Sequence, residues 1–165
     1  MVKKMFSAIL IVLVLWSAQE SLFANEAIHK NKESELADDF NLSDLNNKKV
    51  SLSKLRGRSV VLFFWTTWCP FCRRELKALN NMYADLTKDG IELLAINIEE
   101  PAYKVDNFVK TNKFVFRVLL DKDMAVAESY EILGVPTYVL IDKKGHIVFE
   151  DHYFPQKEYK DLILQ

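Results

Sequence analysis

The chain has 165 residues, half of them hydrophobic, and a net charge of −1 from 22 basic and 23 acidic side chains. This length and composition suit one globular domain with a substantial core. Charges of both signs are interspersed, so there is no basic stripe of the kind that binds nucleic acid and no acidic tail. We therefore expect no nucleic-acid partner.

The N-terminus is typical of a targeting segment. Two lysines precede an apolar run over residues 6–16, which has the length of a signal-peptide core and is shorter than the ~20 residues of a membrane span. A signal peptide is predicted over residues 1–24, with cleavage after Ala24. Because Leu22 is a poor residue at the −3 position, an uncleaved anchor is the alternative. Either way, we expect the domain in the periplasm or an equivalent extracytoplasmic space.

A polar spacer is predicted over residues 25–37, followed by one domain over residues 38–165. A hairpin is expected first, with its turn at Asn46 and Asn47, because asparagine tolerates positive φ. Residues 59–65, "SVVLFFW", are continuously apolar and rich in β-branched and aromatic side chains. They predict a strand that is buried on both faces.

After this strand, helical and extended patterns alternate. The predicted elements are a helix from the cysteines to Gly90, a strand over 91–98, a helix opening at Pro101, an extended segment over 114–121, a short helix ended by Gly134, a hairpin over 137–151 and a closing amphipathic helix over 156–164. The alternation predicts an α/β fold with a mainly parallel sheet and helices on both faces. The last hairpin would supply an antiparallel edge.

The only two cysteines, Cys69 and Cys72, lie in "FFWTTWCPFCRRE", where the buried strand gives way to a helix. Pro70 falls at the first helical position, which places Cys69 at the helix N-terminus. Free backbone N–H groups and the helix dipole there favour negative charge, and so raise the thiolate fraction of Cys69. Cys72 lies one turn inward on the same face and can attack a mixed disulfide formed at Cys69. The pattern predicts a thiol–disulfide exchange centre.

Two close cysteines also occur in structural disulfides, zinc sites and haem-attachment motifs. A structural disulfide here would enclose only two residues and restrict the unfolded chain little. Zinc would need two further ligands, and none of the three histidines is near the pair in sequence. Haem attachment needs histidine after the second cysteine, where Arg73 stands. A non-enzymatic chaperone that holds Cu(I) between the two thiolates stays open as a rival. For an exchange enzyme, we expect no cofactor beyond the cysteine pair.

"WCPFC" after an apolar strand, with "GVPT" about 65 residues later, resembles the thioredoxin superfamily. The lead-in hairpin, the "RREL" after the second cysteine and the strand-helix insert over residues 96–121 make the chain most similar to exported ResA/TlpA/CcmG-type thiol-disulfide oxidoreductases. The resemblance covers residues 38–164. It implies a thioredoxin-like fold with a central mixed sheet, flanking helices, an N-terminal β-hairpin and a central strand-helix insert.

The resemblance also implies a function. The chain would be a monomeric reductase of protein disulfides, such as those of apocytochrome c, and a membrane electron donor would re-reduce it. A disulfide oxidase or isomerase of folding proteins, which runs the same chemistry in other directions, is the rival enzyme. By the same resemblance, Cys69 is the nucleophile, Cys72 resolves the mixed disulfide, and Pro136 follows a cis peptide bond and faces them. The implied substrate-binding residues are Trp68, Pro70, Phe71, Val135 and Pro136.

Phe63 stands where thioredoxins carry a buried aspartate, so that acid is missing for the proton of the inner cysteine. Glu75, three residues after Cys72, is the candidate replacement, and ResA-like proteins carry a glutamate there. The alternative is that Glu75 only complements the dipole in the second helical turn. We predict a catalytic role for Glu75.

Overall fold

This computed structural model describes residues 35–164. Its strands are β1 (Asn41–Asp44), β2 (Lys49–Ser51), β3 (Ser59–Trp65), β4 (Ile91–Ile98), β5 (Arg117–Asp121), β6 (Thr137–Ile141) and β7 (Ile147–Asp151). Its α-helices are α1 (Pro70–Lys88), α2 (Ala102–Asn112), α3 (Ala125–Ser129) and α4 (Tyr159–Ile163). A 3-10 turn at Leu52–Leu55 joins the first hairpin to β3.

The strands form one mixed sheet in the order β2-β1-β5-β4-β3-β6-β7. Only β3 with β4 and β4 with β5 are parallel; the other neighbouring pairs are antiparallel. The mixed sheet implied by the resemblance is therefore confirmed, whereas the mainly parallel sheet expected from the alternation is wrong. Alternation of helices and strands along the chain does not determine strand direction, and β6 pairs with β3 in the antiparallel direction.

The centre of the fold is β3, whose residues are all buried. Successive side chains of a strand point to opposite faces. Val61, Phe63 and Trp65 accordingly join the core beneath α1, while Val60 and Leu62 join the core on the other face. This two-sided burial fixes β3 and presents its C-terminal end, with the loop leading to α1, at one edge of the sheet.

Some of the turn, helix and domain boundaries predicted from sequence agree with the structure, and others differ from it. Asn47 has φ 61° in the turn between β1 and β2, as expected. The helix after β5 ends at Ser129 and not at Gly134, and Glu131 with φ 53° turns the chain away from the helix. Residues 35–37, assigned to the spacer from sequence, pair with the domain, since the Ala37 N–H donates to the Gly145 carbonyl at 2.9 Å.

The predicted signal segment over residues 1–24 lies outside the described residues. Between residues 35 and 164, no helix has both the length and the apolar character that a bilayer span requires.

Candidate active site

The dithiol lies at the head of α1. Cys69 is the N-cap residue, Pro70 follows in the first helical turn, and a disulfide joins Cys69 to Cys72. Sγ of Cys69 accepts a hydrogen bond from the Cys72 backbone N–H at 3.0 Å. Cys69 keeps 3% of its surface exposed, and Cys72 keeps none. A backbone donor at the helix N-terminus thus faces the outer sulfur, which is where a thiolate would be stabilised.

The loop before β6 closes over this sulfur. The Val135–Pro136 peptide bond is cis, as predicted, and the Val135 carbonyl oxygen lies 3.7 Å from Sγ of Cys69. Nδ1 of His152 lies 2.7 Å from the Pro136 carbonyl oxygen. Since a carbonyl only accepts, Nδ1 carries the proton and donates. Thr137 Oγ1 donates to the Gly134 carbonyl at 2.7 Å, so both sides of the loop are held.

Glu75 lies on α1 one turn beyond Cys72, and its side chain is mostly buried. The Tyr138 hydroxyl donates to Oε2 of Glu75 at 2.8 Å. Tyr138 is fully buried on β6 opposite Phe63, with ring centroids 4.6 Å apart. Burial, together with the hydrogen bond and charge of Glu75, raises the pKa of Tyr138 far above its ordinary value. The hydroxyl therefore stays protonated and can only donate to the carboxylate.

A second buried carboxylate supports the loop from β3 to α1. Glu100 is 6% exposed and accepts hydrogen bonds from both the backbone N–H and the hydroxyl of Thr67, each at 2.6 Å. The Asn97 amide at 2.8 Å and the Lys104 ammonium at 2.7 Å complete the set. Burial would raise the pKa of Glu100, but the hydrogen bonds from Asn97, Lys104 and Thr67 outweigh it and hold the pKa below its usual range.

Two open grooves flank the dithiol. The first, of about 340 Å³, is lined by Thr66, Trp68, Ile98, Glu99, Glu100, Met124, Ile132, Leu133, Gly134 and Val135. The second, of about 260 Å³, is lined by Phe71, Arg74, Glu75, Gly134, Val135, Pro136, His152 and Tyr153. Four large side chains on their rims are exposed, namely Trp68, Phe71, Leu133 and Tyr153. An apolar rim around a reactive sulfur suits a polypeptide partner.

The structure brings all the predicted site residues together around the dithiol. Sequence reasoning missed three residues, Tyr138, Glu100 and His152. Asn97, a polar residue inside the apolar β4, was a signal for the buried network around Glu100. The hairpin register, in which Tyr138 opposes Asp151, could have placed His152 near Pro136. For Tyr138 no signal was present, because a tyrosine in a buried strand is ordinary core.

Comparison with known proteins gives the family. A model of the AhpC/TSA family matches residues 34–150. The chain is 35% identical to thiol-disulfide oxidoreductase ResA of Bacillus subtilis, over 86% of this chain and 80% of that protein. It is 34% identical to ResA of Geobacillus thermodenitrificans, over 84% of this chain and 81% of that protein.

Solved structures agree with this relationship. StoA of Bacillus subtilis matches with a TM-score of 0.62 and 28% identity, over 70% of this chain and 88% of StoA. The thioredoxin domain of a thiol-disulfide oxidoreductase from Bacteroides vulgatus matches with a TM-score of 0.69 and 26% identity, over 78% and 94%. This chain therefore belongs to the AhpC/TSA family and is a ResA-like thiol-disulfide oxidoreductase whose redox-active pair is Cys69 and Cys72.

Proposed function

We propose that this enzyme reduces disulfides in polypeptides outside the cytoplasmic membrane, and that apocytochrome c is among its substrates. The observation that carries the proposal is the position of the Cys69 sulfur, at a helix N-terminus and beside the Val135 carbonyl, between two grooves with exposed apolar rims. Such a rim offers contact area to an extended chain. A small thiol such as glutathione would use little of it.

The reaction proceeds in two exchanges. The Cys69 thiolate attacks one sulfur of the substrate disulfide, a mixed disulfide forms, and the other substrate sulfur leaves as a thiolate. Cys72 then loses its proton and attacks the Cys69 sulfur. The Cys69–Cys72 disulfide forms, and the second substrate sulfur leaves as a thiolate that water reprotonates. Two electrons have passed from the enzyme to the substrate.

Glu75 is proposed as the acceptor of the Cys72 proton during the second exchange. Phe63 cannot take a proton, and Glu75 is an acid one helical turn away whose side chain is mostly shielded from water. In the proposed cycle, a membrane-bound electron donor then re-reduces the disulfide, because an exported space holds no reducing thiol pool. The enzyme acts as a monomer in this scheme.

The experiment that tests the direction of the reaction is a redox titration of the Cys69–Cys72 pair against glutathione. A reductase requires a potential well below the roughly −180 mV of a disulfide isomerase. The reduced enzyme should also open the disulfide of a synthetic Cys-x-x-Cys-His peptide, the haem-attachment motif of c-type cytochromes. A potential near or above −180 mV would instead support the oxidase or isomerase role.

Location is tested separately. Mass spectrometry of the protein recovered from the exported fraction should show an N-terminus at Asn25. An intact Met1 in a membrane fraction would support the uncleaved anchor, and recovery in the cytoplasm would contradict the proposed location.

A further inference from the structure

The Tyr138 hydroxyl lies in the core next to the redox site. Tyr138 is fully buried in the middle of the sheet, where a phenylalanine would fill the same space without a polar atom. A buried hydroxyl destabilises a core unless it is hydrogen-bonded. Within the described residues, the bond to Glu75 Oε2 is the only hydrogen bond that the Tyr138 hydroxyl makes. The hydroxyl and the carboxylate are therefore paired by the fold, although 63 residues separate them.

Other charged or titratable groups around Glu75 are less able to hold it. Arg74 is largely exposed, and its Nε lies 3.8 Å from Oε1, which is longer than a hydrogen bond. His152 lines the same groove but directs Nδ1 at the Pro136 carbonyl. Tyr153 also lines this groove, but its side chain is largely exposed. The two cysteines of the dithiol lie on the same helix, with Cys72 one turn before Glu75. The short, buried and directional contact of the carboxylate is thus the one from Tyr138.

We propose that Tyr138 is a positioning residue for the redox reaction, whose hydroxyl holds the Glu75 carboxylate in a fixed orientation for the Cys72 proton. The inference rests on the proton role of Glu75 proposed above. Within the described residues, the hydroxyl makes no hydrogen bond to either sulfur, and in this proposal it moves no proton. It donates to the carboxylate before proton transfer, and this bond weakens once Glu75 is neutral.

The hydrogen bond from Tyr138 to Glu75 should change how readily the dithiol forms a thiolate, in a direction that can be stated. A donated hydrogen bond withdraws part of the negative charge of the carboxylate, so the charge that the nearby thiolates experience is reduced. Removing the hydroxyl leaves the full charge and disfavours the thiolate. Removing the charge itself, by Glu75→Gln, favours the thiolate. The two substitutions should therefore shift thiol reactivity in opposite directions along the pH axis.

The test is the pH profile of iodoacetamide alkylation of the reduced dithiol in four proteins: wild type, Tyr138→Phe, Glu75→Gln and the double variant. Relative to wild type, Tyr138→Phe should move the profile to higher pH by about half a unit, and Glu75→Gln should move it to lower pH. The double variant should match Glu75→Gln alone. Reduction of a disulfide peptide at pH 7 should be about three- to tenfold slower in Tyr138→Phe.

The matched control is Tyr130→Phe. Tyr130 is also buried, and its hydroxyl donates to the Asp38 carbonyl at 2.7 Å within the other core cluster. Tyr130→Phe should lower the stability of the fold, measured by thermal unfolding, about as much as Tyr138→Phe does. It should leave the alkylation profile unchanged. If Tyr138→Phe does not fold, Glu75→Asp serves instead. It keeps the charge but shortens its reach to the hydroxyl, and it should move the profile to higher pH.

An unchanged alkylation profile in Tyr138→Phe would overturn the inference, and so would an equal shift by this substitution in the wild-type and Glu75→Gln backgrounds. Alkylation needs no protein substrate. If the enzyme reduces no disulfide peptide but the opposite shifts are observed, the proposed reductase role fails and the role of Tyr138 stands.

Discussion

The backbone carbonyl oxygen of Val135 lies 3.7 Å from Sγ of Cys69, and Val135 lines both grooves that flank the dithiol. A peptide strand that follows these grooves therefore reaches the Cys69 sulfur first. Cys72 is fully enclosed beneath it. The order of the two exchanges follows from this difference in access, together with the helix N-terminal donors that face Cys69.

Replacement of the inner cysteine should trap substrates. In Cys72→Ser, the mixed disulfide at Cys69 forms but cannot be resolved, so we expect covalent complexes on non-reducing gels. Cys69→Ser should give far fewer complexes, because the remaining sulfur is enclosed and lacks the helix N-terminal position. Equal yields from the two variants would contradict the assigned order of attack.

Neutralisation of Glu75 should slow the enzyme near neutral pH. Glu75→Gln removes the proton acceptor and the negative charge but keeps most of the shape. A positioned general base contributes roughly 10²–10⁴ in rate, so we expect at least about tenfold slower disulfide reduction. The rate should be measured from pH 5 to 9 alongside circular dichroism of the folded protein. If neither the rate nor the pH profile changes, Glu75 is only a charge that complements the helix dipole.

The parts of the site that the residues alone predicted are those fixed by neighbours along the chain, whereas the facing cis bond before Pro136 was predicted from the family resemblance. Cys69, Pro70 and Cys72 lie within four residues of one strand-to-helix junction, and helix-start rules place them without knowledge of the rest. The missed contacts join residues far apart in sequence, Tyr138 to Glu75 over 63 residues and Glu100 to Thr67 over 33. They depend on strand order and register, which periodicity does not specify.

The exposed apolar rim should strengthen the binding of polypeptide disulfides and have little effect on the reaction with a small disulfide. Trp68→Ala and Leu133→Ala each remove an exposed side chain that lines the first groove. We expect each to raise KM for a disulfide peptide about three- to tenfold, with little change in the rate of oxidation by glutathione disulfide. Only a minority of interface side chains cost more than about 1 kcal/mol when truncated, and tryptophan is enriched among them. Tyr103→Ala is the control, because Tyr103 is also a largely exposed hydrophobic side chain but lines neither groove.

An equal loss towards peptide and glutathione disulfide in Trp68→Ala would show that the side chain supports the dithiol itself. In that case the rim would not be a binding surface for substrates.

The buried Glu100 carboxylate should make the stability of the enzyme depend on acid pH. Its pKa in the folded protein lies below the ordinary value of 4.5, so its ionised form stabilises the fold above that pH. The contribution falls away as the pH drops through the folded pKa. Glu100→Gln should therefore lower the free energy of unfolding at pH 7, by about 1–3 kcal/mol for the weakened hydrogen bonds, and the difference from wild type should shrink as the pH drops below 4.5.

Urea unfolding of both proteins at pH 7, 5 and 3.5 measures this difference directly. Asp106→Asn is the matched control on α2, because the ion pair of Asp106 with Lys110 is exposed and such pairs contribute about 0–1 kcal/mol. Because Glu100 binds Thr67 just before the dithiol, Glu100→Gln should also slow disulfide reduction, whereas Asp106→Asn should not. A Glu100→Gln deficit that stays constant from pH 7 to 3.5 would mean that the carboxylate is not the ionised partner of Thr67 and Lys104.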